Sequence, residues 1–357
     1  MKIGIPREMK ILEGRVGLIP DACGLLIDAG HQIFVQHDAG CLSGYDDNDY
    51  QSIGCHIVED ASALYEAAEL IVKVKEPVES DLLHLKAHHI VFSFLHLAAN
   101  KPLVDQLCEI GCTAIAFESV VTDDNKRPIL SPMSHIAGKL AIQIGTHLLH
   151  QPMGGEGILL GGVGEADRGS VVVIGAGQAG YEAVKLADRM GANITVFDIN
   201  EQRLSQLKQS GERVCTQLSD ASTLAEIIVD ADLVVGAVLI PDKHAPKLVT
   251  EAMVKSMKKG AVIVDIAIDQ GGCVETMRPT NYESPTYTKH GVTHFGVTNM
   301  PGAVPRTASQ ALSAVIAPSV LKIADSGVFA HDIIRNAINI EQGQIILPAL
   351  VEEFAQN

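Results

Sequence analysis

The sequence predicts an α/β protein made of two doubly wound parallel-sheet domains. Three observations carry this. Short β-branched apolar runs alternate with helix-length amphipathic stretches along most of the chain. The runs are apolar throughout rather than alternating, the mark of strands buried on both faces of a parallel sheet. Ten such runs also split five and five about a polar, Pro-punctuated connector, DDNKRPILSP, at 123–132. Alternating strand and helix periods imply parallel sheets with helices on both faces.

Taken in order, the first five runs are KIGIP (2–6), HQIFVQ (31–36), ELIVKVK (69–75), HIVFSFLH (89–96) and TAIAFESV (113–120). After the connector come a helical stretch from Met133 to His150 and a Gly-rich segment at 153–164. The second set is SVVVIGAG (170–177), ITVFDI (194–199), DLVVGAV (232–238), AVIVDIAID (261–269) and THFGVTN (293–299). Between strands the spacing is helical, as in Ala179, Ala183, Leu186, Ala187 and Met190. The final stretch reads as helix with no clear strand pair and is expected to return to the first domain. The expected division is therefore 1–130, 131–305 and 306–357, with the first domain discontinuous.

Composition narrows the function. A chain of 357 residues fits two domains at roughly 150 residues each. The formal charge of −16 disfavours phosphate backbones and anionic lipid, so no nucleic-acid or membrane partner is expected. With 47% hydrophobic and 20% charged residues a large core is available and disorder is excluded. No unbroken apolar run reaches the roughly 18 residues of a membrane span. The opening MKIGIPREMK does not resemble a secretion signal. Seven Cys with no CxxC pair suggest reduced thiols, and hence a cytoplasmic protein.

Gly175-Ala176-Gly177-Gln178-Ala179-Gly180 is a GxGxxG placed directly after the strand VVVI and opening a helix. That is the dinucleotide-binding context of a Rossmann-type domain. Gly175 permits the tight turn, Gly177 lets a pyrophosphate approach, and Gly180 lets helix and strand pack closely. The helix N-terminus offers free N–H groups to phosphate. Asp198 ends the second strand, where a carboxylate bonds ribose hydroxyls and repels a 2′-phosphate, favouring NAD over NADP; Arg203 could soften that preference.

Ligands of open parallel sheets sit beyond the carboxyl ends of strands. That rule selects Lys75, His96 and Asp269 at strand ends, Arg15 in the loop after the first strand, and Asn299 and Met300 after the last. A cation for a carboxylate with a Lys, a His and an Asp near a nicotinamide suits redox chemistry at a carbon bearing an amino or hydroxyl group. The His84, His88, His89, His96 cluster includes one i,i+4 pair but no companion Cys or carboxylate set, so no metal site is expected.

Several blocks together resemble alanine dehydrogenases: GIPREMKILEGRVGLIP (4–20), KVKEPVESD (73–81), FSFLHLAAN (92–100), SPMSHIAGKLAIQIG (131–145), the stretch 171–200, GAVLIPDKHAPKLVTEAMV (236–254), VDIAIDQGGCVETMRPT (264–280) and VTNMPGAVPRT (297–307). The resemblance runs from the first residue to about 307 and loosens after it. Gly164, His135 and Lys139 depart from residues common in that family.

The resemblance implies NAD-dependent, reversible conversion of L-alanine to pyruvate and ammonium. It implies Arg15 on the substrate carboxylate, Lys75 on its carbonyl oxygen or amino group, and His96 and Asp269 as proton donor and acceptor. For the cofactor it implies Ser134, Gln178, Ala179, Asp198, Arg203, Ser219, Val238, Leu239, Ile266, Ala267, Ile268, Asp269, Arg278, Val297, Thr298, Asn299 and Met300. It further implies a cleft between a discontinuous substrate domain and the NAD domain, and a homohexamer. The chief alternative is the NAD-binding subunit of a proton-translocating transhydrogenase, which processes no small substrate and typically lacks the His96 and Asp269 motifs. An opine-type dehydrogenase and a non-enzymatic NAD-sensing module are further alternatives.

Overall fold

The structure, a computed structural model, describes residues 1–238 and 245–355. The chain divides into two compact units. One holds Met1–Met133 and the chain from Gly302 onward; the other is Ser134–Pro301.

The first unit is built on β1 (Lys2–Ile5), β2 (Gln32–Gln36), β3 (His56–Val58), β4 (Leu70–Val72), β5 (Ile90–Ser93) and β6 (Thr113–Ala116). The second is built on β7 (Ser170–Ile174), β8 (Asn193–Asp198), β9 (Val214–Leu218), β10 (Leu233–Gly236), β11 (Val262–Asp265), β12 (Thr286–Lys289) and β13 (Val292–Phe295). The chain then adds β14 (Ile338–Glu341) and β15 (Gln344–Ile345) to the first unit. The sheet orders are β15-β14-β6-β5-β4-β1-β2-β3 and β12-β13-β11-β10-β7-β8-β9. Neighbours pair in parallel except at β14 with β6 and β15, and β12 with β13.

The β-branched runs place their side chains where both sheet faces are covered. Ile3, Ile5, Ile71, Val91 and Ile115 are fully buried in one sheet; Val171, Val172, Val173, Val234, Ile263 and Val264 are in the other. Both sheets are doubly wound. The chain steps from β1 to β3 in one direction and resumes at β4 on the far side of β1; it repeats the move from β7 to β9 and back to β10. Each sheet therefore has a topological switch point, β1/β4 and β7/β10, where the diverging connections leave a crevice beyond the strand ends.

The ten apolar runs all become strands, but β3, β9, β12, β14 and β15 were not foreseen. Four of these five lie at sheet edges, where one flank is solvated and no continuous apolar run is needed. The reading of 306–357 as helix without a strand pair is therefore corrected. Gln342 and Gly343, at φ 47° and 78°, form a two-residue left-handed turn joining β14 to β15. His290 and Gly291, at φ 56° and 81°, do the same between β12 and β13. Both are the turn geometry that matches strand twist.

The count of unbroken apolar residues also passes over the helix Pro305–Ser326, which is long and apolar enough by composition to cross a membrane. Here it packs as a core helix. Ala308, Leu312, Ile316, Val320 and Ile323 are buried, and the Ser309 and Ser313 hydroxyls accept the Val16 and Ile19 amides at 3.0 Å. The histidine cluster is partly accounted for by packing. His84 stacks on Tyr65, while His89 accepts the Lys86 amide and bonds the Tyr65 carbonyl, both at 2.8 Å.

The two hairpin turns should differ in tolerance. A Cβ at Gly343 would lie 2.8 Å from the Cys108 carbonyl oxygen, whereas at Gly291 the nearest atom is the flexible Lys259 side chain at 3.2 Å. Gly343→Ala should cost more than the roughly 1 kcal/mol of left-handed strain alone. Gly291→Ala should cost about that strain, as read by chemical denaturation.

Candidate active site

In the second unit the glycine motif forms the β7/β10 crevice. Gly175 has φ +104°, and a Cβ there would sit 2.6 Å from the Ala237 carbonyl oxygen. At Gly180 a Cβ would be 1.7 Å from the Gly175 carbonyl oxygen, so only glycine lets the helix Gln178–Met190 approach the turn. Gly177 differs: among the described residues nothing lies within 4 Å of its added Cβ. It is the helix N-cap, and among the described residues no side chain caps the helix there. Gln178 and Ala179 supply the first-turn amides. Open space over uncapped N–H groups at a helix N-terminus is what an anionic pyrophosphate requires.

Asp198 ends β8 and is buried. Its carboxylate accepts the Ala176 amide at 2.5 Å and the Asn200 amide at 2.8 Å, with Arg203 Nη1 at 3.8 Å. It thus ties the glycine turn to the end of β8. Ser219 follows β9 and donates its amide to the Asp198 carbonyl at 2.9 Å. Val238 follows β10; Leu239 lies outside the described residues. Ser134 lies in the helix Leu130–Leu148. The Arg278 guanidinium lies over the Tyr287 ring at 4.2 Å.

Asp269 sits on a short 3-10 turn, Ile266–Gln270, just beyond β11, with its side chain exposed. Asp265, the last residue of β11, shapes that turn: its carboxylate accepts the Ala267 amide at 3.0 Å and the Cys273 amide at 2.8 Å. Burial pushes the Asp265 carboxyl up to about 6, against those two hydrogen bonds. Ala267 and Ile268 are core side chains, as are Val297 and Met300, so these four can meet a ligand chiefly through their main chain; Ile266 is half-buried and Thr298 exposed. The Asp269 carboxylate accepts the amide of Asn299 at 3.3 Å. Asn299 holds a left-handed φ of 63°.

In the first unit, Arg15 lies in the loop after β1, almost fully buried. Glu13 grips it twice, Nε to Oε1 at 2.7 Å and Nη2 to Oε2 at 2.6 Å, and Nη1 reaches Met133 Sδ at 3.3 Å. Burial raises the Glu13 carboxyl, but Arg15 overrules it and holds the carboxyl below its usual range. One edge of the guanidinium is thereby committed and its charge neutralised. Lys75, half-buried three residues past β4, makes no ion pair through Nζ among the described residues, and its charge also lowers Glu13. A cavity of about 460 Å³ opens here, lined in part by Arg7, Glu8, Lys10, Glu13, Arg15 and Asp38.

His96 lies three residues past β5 in a left-handed conformation, φ 48°, with its ring parallel to Phe94 at 5.8 Å. Glu118, just after β6, holds this turn: it accepts the amides of Leu95 at 3.2 Å and His96 at 2.7 Å, and lies 3.9 Å from the His96 ring nitrogen. Glu8, Glu13, Glu118 and Asp265 were not among the residues singled out from sequence. For Glu8, Glu118 and Asp265 the signal available was a carboxylate at or just beyond the end of an apolar strand, a place where solvation alone does not explain it. Glu118→Ala should release both amides. Loss of a charge-assisted hydrogen bond worth about 1.5–3 kcal/mol predicts exchange at Leu95 and His96 faster by about 10- to 100-fold, with β7–β11 protection unchanged by hydrogen-exchange NMR.

Comparison with known proteins agrees over the whole chain. Residues 4–137 match the family model for the alanine dehydrogenase/PNT N-terminal domain, and residues 141–348 match that for its C-terminal domain. The alanine dehydrogenase of Bacillus subtilis (strain 168) is 43% identical, over 99% of this chain and 95% of its own length. That of Mycolicibacterium smegmatis is 46% identical, over 99% and 97%. A solved structure described as L-alanine dehydrogenase superposes with a TM-score of 0.96 at 42% identity, covering 100% of this chain and 99% of that one. A transhydrogenase structure from Sinorhizobium meliloti shares the fold, with a TM-score of 0.85 at 24% identity, over 98% of this chain and 100% of its own. The chain belongs to the alanine dehydrogenase/PNT family.

Proposed function

We propose that this chain is an NAD-dependent alanine dehydrogenase that deaminates L-alanine oxidatively to pyruvate and ammonium and runs the reaction in reverse. The observation that carries the reading is the end-to-end match to alanine dehydrogenases at 43% and 46% identity. The family models span both readings, but the transhydrogenase structure that shares the fold is just 24% identical. A homohexamer acting in the cytoplasm on small-molecule substrates completes the proposal.

The second unit fits a nicotinamide dinucleotide. Gly177 leaves room for the pyrophosphate beside the uncapped helix, and Asp198 suits ribose hydroxyls while opposing a 2′-phosphate. Gln178, Ala179, Ser219, Val238, Arg278 and the residues around Asp269 and Asn299 would complete the hold, with Ser134 and Arg203. When bound, this group would supply the hydride acceptor for the substrate Cα and, in the reverse direction, the hydride donor.

The protein's own residues do the rest. Lys75 and Arg15 orient the substrate carboxylate and carbonyl oxygen; because Glu13 neutralises Arg15, Lys75 supplies most of the attraction for an anion. Asp269 accepts a proton from the water that attacks the iminium carbon. His96 protonates the departing amine, a task suited to imidazole near neutral pH.

NADH absorbance should fall with pyruvate only when ammonium is present, and only weakly when NADPH replaces NADH. Turnover without ammonium would contradict the assignment. Asp269→Asn and His96→Ala should abolish turnover while NADH binding survives. Lys75→Met should raise the pyruvate KM by about tenfold or more. Arg15→Ala should weaken pyruvate binding and also destabilise the fold, by about 3–5 kcal/mol, because it strands the buried Glu13 charge.

A further inference from the structure

Glu8 lies in the loop after β1, on the wall of the cavity that also borders Arg15, with a side chain that is almost wholly buried. Its Oε1 accepts the Val74 amide at 2.6 Å and the Lys75 amide at 3.3 Å. Among the described residues its Oε2 has no hydrogen-bond partner, and it faces Lys73 Nζ at 3.9 Å. Lys73 in turn is ion-paired to Asp81, which also accepts the Tyr65 hydroxyl at 3.0 Å. A buried carboxylate with one oxygen lacking a hydrogen bond is costly, and a core position needing only an amide acceptor could have used a neutral group.

We propose that Glu8 is a positioning residue: its carboxylate fixes the main chain of Val74 and Lys75 across the β1/β4 switch point and so sets where the Lys75 ammonium meets the substrate. This rests on the reading of Lys75 as a substrate residue. Glu8 holds its grip best when ionised. Burial pushes its carboxyl up to about 7, Glu13 and Asp81 adding to the rise while Lys73 and the Val74 amide oppose it. Because the folded value is raised, the charged form, and with it the full grip, is present above about pH 7 and is lost as the pH falls through it. Lys73 acts as the counter-ion that keeps this titration from moving higher.

The test is the pyruvate KM, with ammonium saturating, from pH 6 to 8.5, alongside kcat and the NADH affinity read from nucleotide fluorescence. The parent KM should rise as the pH falls below 7. In Glu8→Gln the KM should stay high, by about tenfold at pH 8, and lose its Glu8-dependent rise, with kcat and NADH affinity near the parent values. In Lys73→Met the rise should move to higher pH. A Glu8→Gln enzyme whose KM and pH dependence superimpose on the parent overturns the proposal. If Glu8→Gln does not fold, Lys73→Met decides alone: a shift supports the proposal and an unmoved profile overturns it. A parent with no ammonium-dependent turnover defeats the dehydrogenase reading instead, and is recognised before any variant is made.

Discussion

The loops of the candidate site in both units depend on one recurring interaction, a carboxylate at or just past a strand end that accepts main-chain N–H groups from a loop. Glu8 holds Val74 and Lys75, Glu118 holds Leu95 and His96, Asp198 holds Ala176 and Asn200, and Asp265 holds Ala267 and Cys273. Parallel strands end in amides that the sheet no longer satisfies, and the loops leaving them cannot all be solvated. A carboxylate offers several acceptor sites in a small volume, and each charge-assisted bond contributes about 1.5–3 kcal/mol. Desolvation offsets much of that, as the raised carboxyls of Glu8 and Asp265 show. What remains is less stability than placement.

Placement is needed because two loops, one of them held by Glu118, are strained. His96 and Asn299 are non-glycine residues in left-handed conformations, at φ 48° and 63°. Such conformations cost of order 1–3 kcal/mol each and persist only where the surroundings hold them. Glu118 clamps the amide of His96, and the Asp269 carboxylate accepts that of Asn299. In each case a carboxylate holds the strained main chain beside a residue assigned to the reaction. The left-handed backbone at His96 also puts its ring parallel to Phe94 rather than into the core.

Much of this was legible in the sequence, for identifiable reasons. Central strands must be apolar on both faces, so their runs stand out, and the glycine motif is legible because Gly175 and Gly180 are demanded by contacts of 2.6 and 1.7 Å that no side chain could share. Edge strands carry no such demand: β9 has two exposed residues among its five, and β12 none that is fully buried. The hairpins rest on His290-Gly291 and Gln342-Gly343, pairs whose first member is not the usual Asn or Asp. Asp198 was legible from its place after the glycine motif, but the clamping carboxylates Glu8, Glu118 and Asp265 escaped because their partners are main-chain amides, often far along the chain. Glu8 and Val74 are 66 positions apart, and nothing in either residue type announces the bond. Glu13 was missed differently: it lies two residues from Arg15, yet the pattern alone does not distinguish a bidentate buried pair from two surface charges.

The most direct test of the chemistry assigned to these loops is to follow the hydrogen on the substrate Cα. L-Alanine deuterated at Cα would be incubated with the protein and NAD⁺, and the reduced nucleotide examined by mass spectrometry. Transfer of one deuterium to the nicotinamide ring, with pyruvate formed in equal amount, is the predicted result. Reduced nucleotide without the label, or no reduction while NAD⁺ remains bound, would contradict it.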